Sequence, residues 1–381
     1  MGYWKNKLAE WEQRGYKDIN TMVCHCCFGD YAIKNYIKLH GERQKCDYCH
    51  KVRKSCSLEK VIGLIVGSAN TEYEDATGCM GYCSKEGGFI GADTFDVYDF
   101  VYDVLNQEMN IENEELLKDI YNTLDDSVTW CDADPYGLRL HESDFLEWKE
   151  YTDAVKKNPS RSVTSYPILQ KVANYLEELN LIVLSSKSHG FYRSRGHERH
   201  ETFSTAKALG APPANNATAN RFSQSGQSMF YGAYDIETTL AEINATNYEA
   251  VTSAMFYPTK RLLLLDLTKI KSIKWISLFD AERRDLRSPL VFLKRFQEAI
   301  SQPVNGVEEE YLPTQLFSTY LRTIFKTEHG AQLDGILYES SKIPDKKCCS
   351  LFFDNNDMAD YKNNKFKKLY IDKDTITKVF I

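Results

Sequence analysis

The sequence predicts an α+β protein: a zinc-binding segment over residues 1–60, a helical domain over 61–180 and a mixed α/β domain over 181–381. Three observations carry this. Cysteines crowd into two CxxC pairs near the start, apolar residues recur at helical spacing through the middle, and short β-rich runs alternate with helices from Leu181 onward. A chain of 381 residues is also too long for one ordinary core.

Six of the eleven cysteines fall between positions 24 and 56. "CHCC" supplies Cys24 and Cys27, and "CDYC" supplies Cys46 and Cys49, each pair with two residues between. Two such knuckles present four thiolates to one ion, so a tetrahedral zinc site is the natural product. Buried free thiols are the alternative. Four thiolates saturate zinc and leave no place for water, so the metal would be structural. It would supply folding energy to a segment too small to hold itself. His25, Cys26 and Cys56 are substitutes or bystanders, and Cys79 and Cys83 read as structural.

In the middle segment, "TFDVYDFVYDVLNQEM", "ESDFLEWKEYTDAVKK" and "YPILQKVANYLEEL" have helical apolar spacing, with a start expected at Ser143. "KKNPSRSVTS" (156–165) has linker composition. From Leu181 short strands appear, among them "GFYRS", "MFYGAY", "RLLLLDL", "DGILYESS", "CSLFFD", "KKLYID" and "KVFI". Helices at "IETTLAEIN", "PLVFLKRFQEAI" and "PTQLFSTYLRTIFK" sit between them. A fragment starting near Leu181 is therefore expected to hold a complete domain.

Composition narrows function. Hydrophobic residues at 43% and charged residues at 27% are ordinary for a globular protein. The net charge of −7 argues against general nucleic-acid binding through phosphate neutralisation. The "KNNKFKK" run (362–368) reads as a solvated turn. No apolar run approaches a membrane span, and the opening residues lack the apolar core of a signal peptide, so a cytoplasmic location is expected.

One region carries candidate chemistry. "GFYRSRG" places Arg193 on a strand, and the turn-rich "GAPPANNATAN" leads into Arg221. "SQSGQS" then breaks the chain, Tyr231 lies on the next strand, and "DIETTLAEI" opens on Asp235 as an N-cap. Its Glu242 lies beside Leu240, which is expected to face the core. Ser340 and Ser341 end another strand; Cys348 and Cys349 lie in the following one and cannot both face the core. On spacing alone, a salt bridge, a core tyrosine and a serine turn account for these residues as well as a site does.

The stretch "ALGAPPANNATANRFSQSGQSMFYGAYDIETTLAEI" resembles the RES domain, named for its arginine, glutamate and serine. "FYRSR" upstream, and "YLPTQLFSTYLR" and "DGILYESS" downstream, are similar to its other motifs, in the same order, over roughly 190–353. "VCHCCFGDYAIKNYI" and "QKCDYCHK" look like the zinc-bearing segment that precedes certain RES domains, with a HEPN-like helical stretch after it. The resemblance implies an ADP-ribosyltransferase-like fold and an NAD-consuming enzyme, a bacterial toxin or anti-phage effector. It implies catalytic roles for Arg221, Tyr231 and Glu242, and binding roles for Arg193, Arg221, Tyr231 and Ser340. The family's Gly-x-Asn element is missing from "PDKKCCSLFF".

These residue types suit NAD. Arginines clamp a pyrophosphate, a tyrosine stacks on nicotinamide, and an ionised glutamate stabilises the ribose cation left when nicotinamide departs. Ser340 would bond the nicotinamide amide or a ribose hydroxyl. The acceptor is water, phosphate or a macromolecule, the last making the protein an ADP-ribosyltransferase. A restraining antitoxin or activating partner, and a homo-oligomer, are expected. Two other readings stand beside this: a nucleotide-binding regulatory module without turnover, and a HEPN-type ribonuclease. For the ribonuclease, Arg139 and His141 are too close, and the Arg195–His200 spacing falls inside the RES-like part.

Overall fold

The computed structural model describes residues 2–158, 163–301, 308–362, 364 and 366–381. Residues 159–162 of the expected linker, and positions 363 and 365 of the lysine run, lie outside the described residues. The chain forms two compact units. The first comprises Met1–Leu140 and Lys274–Ser288, the second His141–Ile273 and Pro289–Ile381. These limits differ from divisions at 60/61 and 180/181: the last two helices before Leu181 go with the second unit, and segment 274–288 joins the first.

The first unit begins with a three-stranded antiparallel sheet of Met22–Cys24, Glu42–Lys45 and Val52–Ser57, with the last strand in the centre. Helix Tyr31–His40 starts where the Asp30 carboxylate accepts the Ala32 and Ile33 amides. Its Ile33 and Ile37, four apart, lie on one face and are fully buried. They pack in a core with Leu58, Ile62 and Ile65 of helix Leu58–Ala69 and with Leu116 and Ile120 of helix Glu114–Thr123. A small sheet of Tyr73–Asp75, Thr94–Phe95 and Trp130–Asp132 interrupts the helices. Segment 274–288 contributes Leu278 and Phe279 to the same core. Its Arg287 donates to Glu72 and Glu108, each at 2.7 Å, and to the Ile276 carbonyl at 2.6 Å.

The second unit opens with helices α1 (Leu140–Lys157) and α2 (Pro167–Glu178). The first starts three residues before the expected Ser143. Then come β1 (Ile182–Leu184), β2 (Phe191–His197), β3 (Phe230–Ala233), α3 (Ile236–Glu242), β4 (Ala250–Pro258) and β5 (Leu263–Asp266). Helices α4 (Arg287–Ser301) and α5 (Leu312–Thr323) precede β6 (Gly335–Glu339), β7 (Lys347–Leu351), β8 (Met358–Ala359) and β9 (Leu369–Phe380). The nine strands form one sheet in the order β8-β9-β4-β2-β3-β7-β6-β5-β1. Pairing is antiparallel except between β5 and β6 and between β8 and β9.

One face of the central strands buries Phe191, Phe230, Phe256, Leu264 and Leu351. Trp148, Phe296 and Phe317 pack edge to face among α1, α4 and α5. "KKLYID" and "KVFI" belong to one long strand: the register slips between Ser253 and Met255, and the Met255 amide turns to the Thr375 hydroxyl at 2.9 Å. Among the described residues no helix is long and apolar enough to cross a membrane.

Candidate functional site

A cleft of about 590 Å³ opens in the second unit where β2, β3, α3 and the facing ends of β6 and β7 meet. That volume suits a cofactor-sized ligand. Arg193, Arg221, Tyr231 and Glu242 all line it. They come from four different stretches, and each is held by a local device.

Arg193 and Arg195 are two apart on β2, so the strand puts both on one face. Arg193 donates to the Tyr231 carbonyl at 2.5 Å and lies over the Phe230 ring. Burial, with the charge of Arg195 next to it, pushes Arg193 down to about 10, still protonated at neutral pH. Arg195 donates to the Ala208 carbonyl at 2.6 Å. Gly196 follows because Tyr248 lies against the strand there: a Cβ would sit 2.2 Å from the ring.

Arg221 stands in a tight turn closed by backbone bonds between Asn220 and Ser223. The next residue, Phe222, is buried against Tyr338 with ring centroids 5.0 Å apart. The Arg221 guanidinium has no protein partner among the described residues. On β3, the Tyr231 hydroxyl bonds the Ser223 hydroxyl at 2.9 Å, and burial pushes the phenol up.

Helix α3 is capped as expected: Asp235 accepts the Thr238 amide at 2.9 Å and the Thr238 hydroxyl at 2.8 Å. Its buried residues are Thr238 and Thr239, while Leu240 is only half-buried. This departs from the expectation for Leu240. The reason is polar packing: Thr239 shares a hydroxyl cluster with Ser194 of β2, which reaches Ser253 of β4. The helix therefore sits on hydroxyl groups, and Glu242 at its last position projects into the cleft.

Ser340 does not line the cleft. It is buried behind Glu242 and donates to its Oε1 at 2.5 Å. The amides of Lys342 and Ile343 both reach the Ser340 hydroxyl oxygen at 3.1 Å, so its single hydrogen goes to the carboxylate. The other carboxylate oxygen of Glu242 has no protein partner among the described residues.

Among the lining residues that the sequence reading does not assign to the site are Arg195, Tyr311, Lys342 and Cys348. Two of these carry a signal: Arg195 in its strand spacing from Arg193, and Cys348 in its adjacency to Cys349, since the pair cannot both face the core. Cys348 and Cys349 are both buried, on opposite faces: Cys349 lies in the apolar core and Cys348 beside Glu242 at 3.8 Å. Burial and that carboxylate push the Cys348 thiol up, so it stays protonated. Arg193, Arg195, Arg221 and Lys342 line the same cleft as Glu242, a lining that can offer positive charge to an anionic ligand.

The first unit holds a second centre. The sulfurs of Cys24, Cys27, Cys46 and Cys49 all lie within 4.8 Å of one another. Contacts of 3.5 to 3.7 Å join Cys24 to Cys49, Cys24 to Cys27 and Cys27 to Cys46. Tetrahedral zinc with bonds of about 2.3 Å needs sulfurs about 3.8 Å apart, so these four residues fit a metal ion. Cys26 points elsewhere, to His25 and Arg53, and Cys56 is buried in the core. Cys79 touches Cys131 at 3.3 Å.

The cleft and the cysteine centre define a two-part protein, a metal-capable N-terminal part followed by a mixed-sheet domain with a cleft lined by several cations. Comparison with family models also finds two domains, though with other limits: their boundary falls between residues 162 and 191, and Cys24 and Cys27 lie ahead of the first match. The chain carries a HEPN/RES N-terminal domain (HEPN/RES N-terminal domain 1) over residues 39–162 and a RES domain over residues 191–370. The RES domain is commonly linked to NAD-acting toxins. No curated protein and no solved structure matches the chain.

Proposed function

We propose that this protein cleaves the nicotinamide–ribose bond of NAD. The observation that carries the reading is the cleft's charged lining: several cations and one carboxylate, Glu242, whose second oxygen has no protein partner among the described residues. NAD has the matching pattern, a pyrophosphate and a ribose that turns cationic. Arg221, with Arg193 and Arg195 beside it, holds the pyrophosphate through charge-assisted hydrogen bonds. Tyr231 packs against the flat nicotinamide.

In the reaction the C1′–N bond breaks. Its electron pair leaves with the ring nitrogen, which becomes neutral nicotinamide. The positive charge passes to the ribose as an oxocarbenium ion, and Glu242 stabilises it. Water, phosphate or a macromolecular nucleophile then closes on C1′. Ser340 acts from behind by fixing the carboxylate. Zinc on the four cysteines would hold the N-terminal fold and take no part in this chemistry. A toxin or anti-phage role fits the loss of a cell's NAD, and it calls for a restraining antitoxin or activating partner.

The test is mass spectrometry of the products formed by the full chain with NAD, with and without phosphate. Nicotinamide should appear together with ADP-ribose, or with its 1-phosphate when phosphate is the acceptor. Label retained on protein would assign a transferase. Absence of nicotinamide with NAD bound would leave a nucleotide-binding module.

A further inference from the structure

We infer that Gln315, outside the cleft, is a positioning residue that sets Arg221 and Tyr231 through the turn 220–223; the inference rests on the reading of the cleft as an NAD site. Gln315 lies on the buried face of α5 and is 2% exposed. Its side-chain amide has two hydrogens. One goes to the Asn220 carbonyl at 2.7 Å and the other to the Ser223 carbonyl at 3.1 Å. Those two residues are the ends of the turn that carries Arg221, and they also bond each other through their backbones. The neighbouring Thr314 hydroxyl reaches the Arg221 carbonyl at 2.6 Å, but shares its one hydrogen with the Tyr311 carbonyl at 2.9 Å. Gln315 is therefore the firmer brace.

The same turn governs Tyr231. Ser223, held by Gln315 through its carbonyl, holds the Tyr231 hydroxyl through its own at 2.9 Å. One amide on α5 thus fixes the cation and the ring that would meet the pyrophosphate and the nicotinamide of a dinucleotide. Arg221 needs this support because its guanidinium has no protein partner of its own among the described residues. A long side chain on an unbraced turn would lose more conformational freedom on binding.

The experiment is Gln315→Met in the full chain, which keeps length and volume but removes both donors. Two readouts are taken. Hydrogen exchange of the amides within 218–226 should speed up by about tenfold or more, as two buried carbonyls lose their donor. The Kd for NAD should rise about tenfold, with kcat for nicotinamide release changed much less. In an Arg221→Ala background the same substitution should raise the NAD Kd by a clearly smaller factor than in the wild-type chain, because one of the two groups it positions is gone and only the route through Ser223 to Tyr231 remains. A purely structural role for Gln315 would give equal factors in both backgrounds and overturns the inference. Unchanged exchange in 218–226 overturns it too, whatever happens to NAD. If Gln315→Met does not fold, Gln315→His, which keeps one donor, is read the same way. Wild-type protein that binds no NAD would sink the NAD reading, and the exchange measurement would still decide whether Gln315 braces the turn.

Discussion

The hydroxyl of Ser340 donates to Oε1 of Glu242 at 2.5 Å, across 98 residues of sequence. The Lys342 and Ile343 amides hold the serine oxygen from its other side. A loop after β6 thereby fixes a carboxylate at the end of α3. Glu242 lines the cleft with one oxygen tied by the serine and the other without a protein partner among the described residues, and a carboxylate held in this way can meet developing charge without first reorganising.

Removing either partner should separate their roles. Glu242→Gln keeps shape and loses the charge, so nicotinamide release should fall by about a hundredfold or more with little change in NAD affinity. Ser340→Ala leaves the carboxylate but frees it, and kcat should fall by about tenfold with KM nearly unchanged. The double mutant should be scarcely slower than Glu242→Gln alone, because the serine acts through the glutamate. Ser340→Ala turning over at the wild-type rate would detach the serine from the chemistry.

The cysteine centre predicts about one zinc per chain by elemental analysis, lost in a Cys46→Ser, Cys49→Ser double mutant. The Cys46 sulfur also accepts the Cys24 amide at 3.3 Å, so the two knuckles support each other. Without the ion the three-stranded sheet should loosen, seen as faster proteolysis within residues 20–57. A double mutant with full zinc content would remove these ligands from consideration.

Local patterns made much of this readable. The CxxC pairs, the Asp235 cap and most of the β-rich runs follow from chemistry within a few residues: the four cysteines come together, Asp235 caps its helix and the runs pair into one sheet. Contacts distant in sequence left no local trace. Nothing near Ser340 announces Glu242, and nothing in "YLPTQLFSTYLR" says that Gln315 grips the turn at 220–223. The last strand reads as two, "KKLYID" and "KVFI", because the residues between Asp372 and Thr377 form a bulge rather than a regular run. Leu240 misled because apolar spacing assumes an apolar seat for the helix. Here the seat is the hydroxyl group of Ser194.

Acid should release α3. Burial alone would raise the Asp235 carboxyl, but the Thr238 amide and hydroxyl, with Lys346 nearby, outweigh it and hold the group below the usual carboxylate range. The folded value lies below the unfolded one. The cap's contribution is therefore complete above about pH 4 and is lost as pH falls through the folded value beneath that. Asp235→Ala should cost about 1 kcal/mol near neutral pH and should flatten this acid limb. Asp235→Asn should retain most of the cap and also lose the acid dependence. The check is urea unfolding across pH 2 to 7; identical acid limbs in wild type and Asp235→Asn would rule the assignment out.

The last prediction concerns Arg287, which ties segment 274–288 into the first unit. Its guanidinium serves Glu72, Glu108 and the Ile276 carbonyl, and lies 4.9 Å from the Trp275 ring centroid. Arg287→Ala would leave two carboxylates facing each other without a counter-charge. Glu72 and Glu108 are 37% and 23% exposed, so the cost should be about 2–3 kcal/mol, below the roughly 3–5 of a fully buried pair. Arg287→Lys keeps the charge but not the fork that serves three acceptors, and should recover less than half of the loss. Both are read by urea unfolding, with protease cleavage inside 274–288 as the local signal. The same anchoring bears on truncation. A fragment starting at Leu181 keeps Leu278 and Phe279 but lacks the core that buries them. It also lacks α1 and α2, whose Tyr151 and Gln170 bond the Pro313 carbonyl and Tyr320 hydroxyl of α5. That fragment should aggregate or unfold where the full chain does not. A soluble, cooperatively folded fragment, together with an Arg287→Ala chain of wild-type stability, would show that segment 274–288 is dispensable.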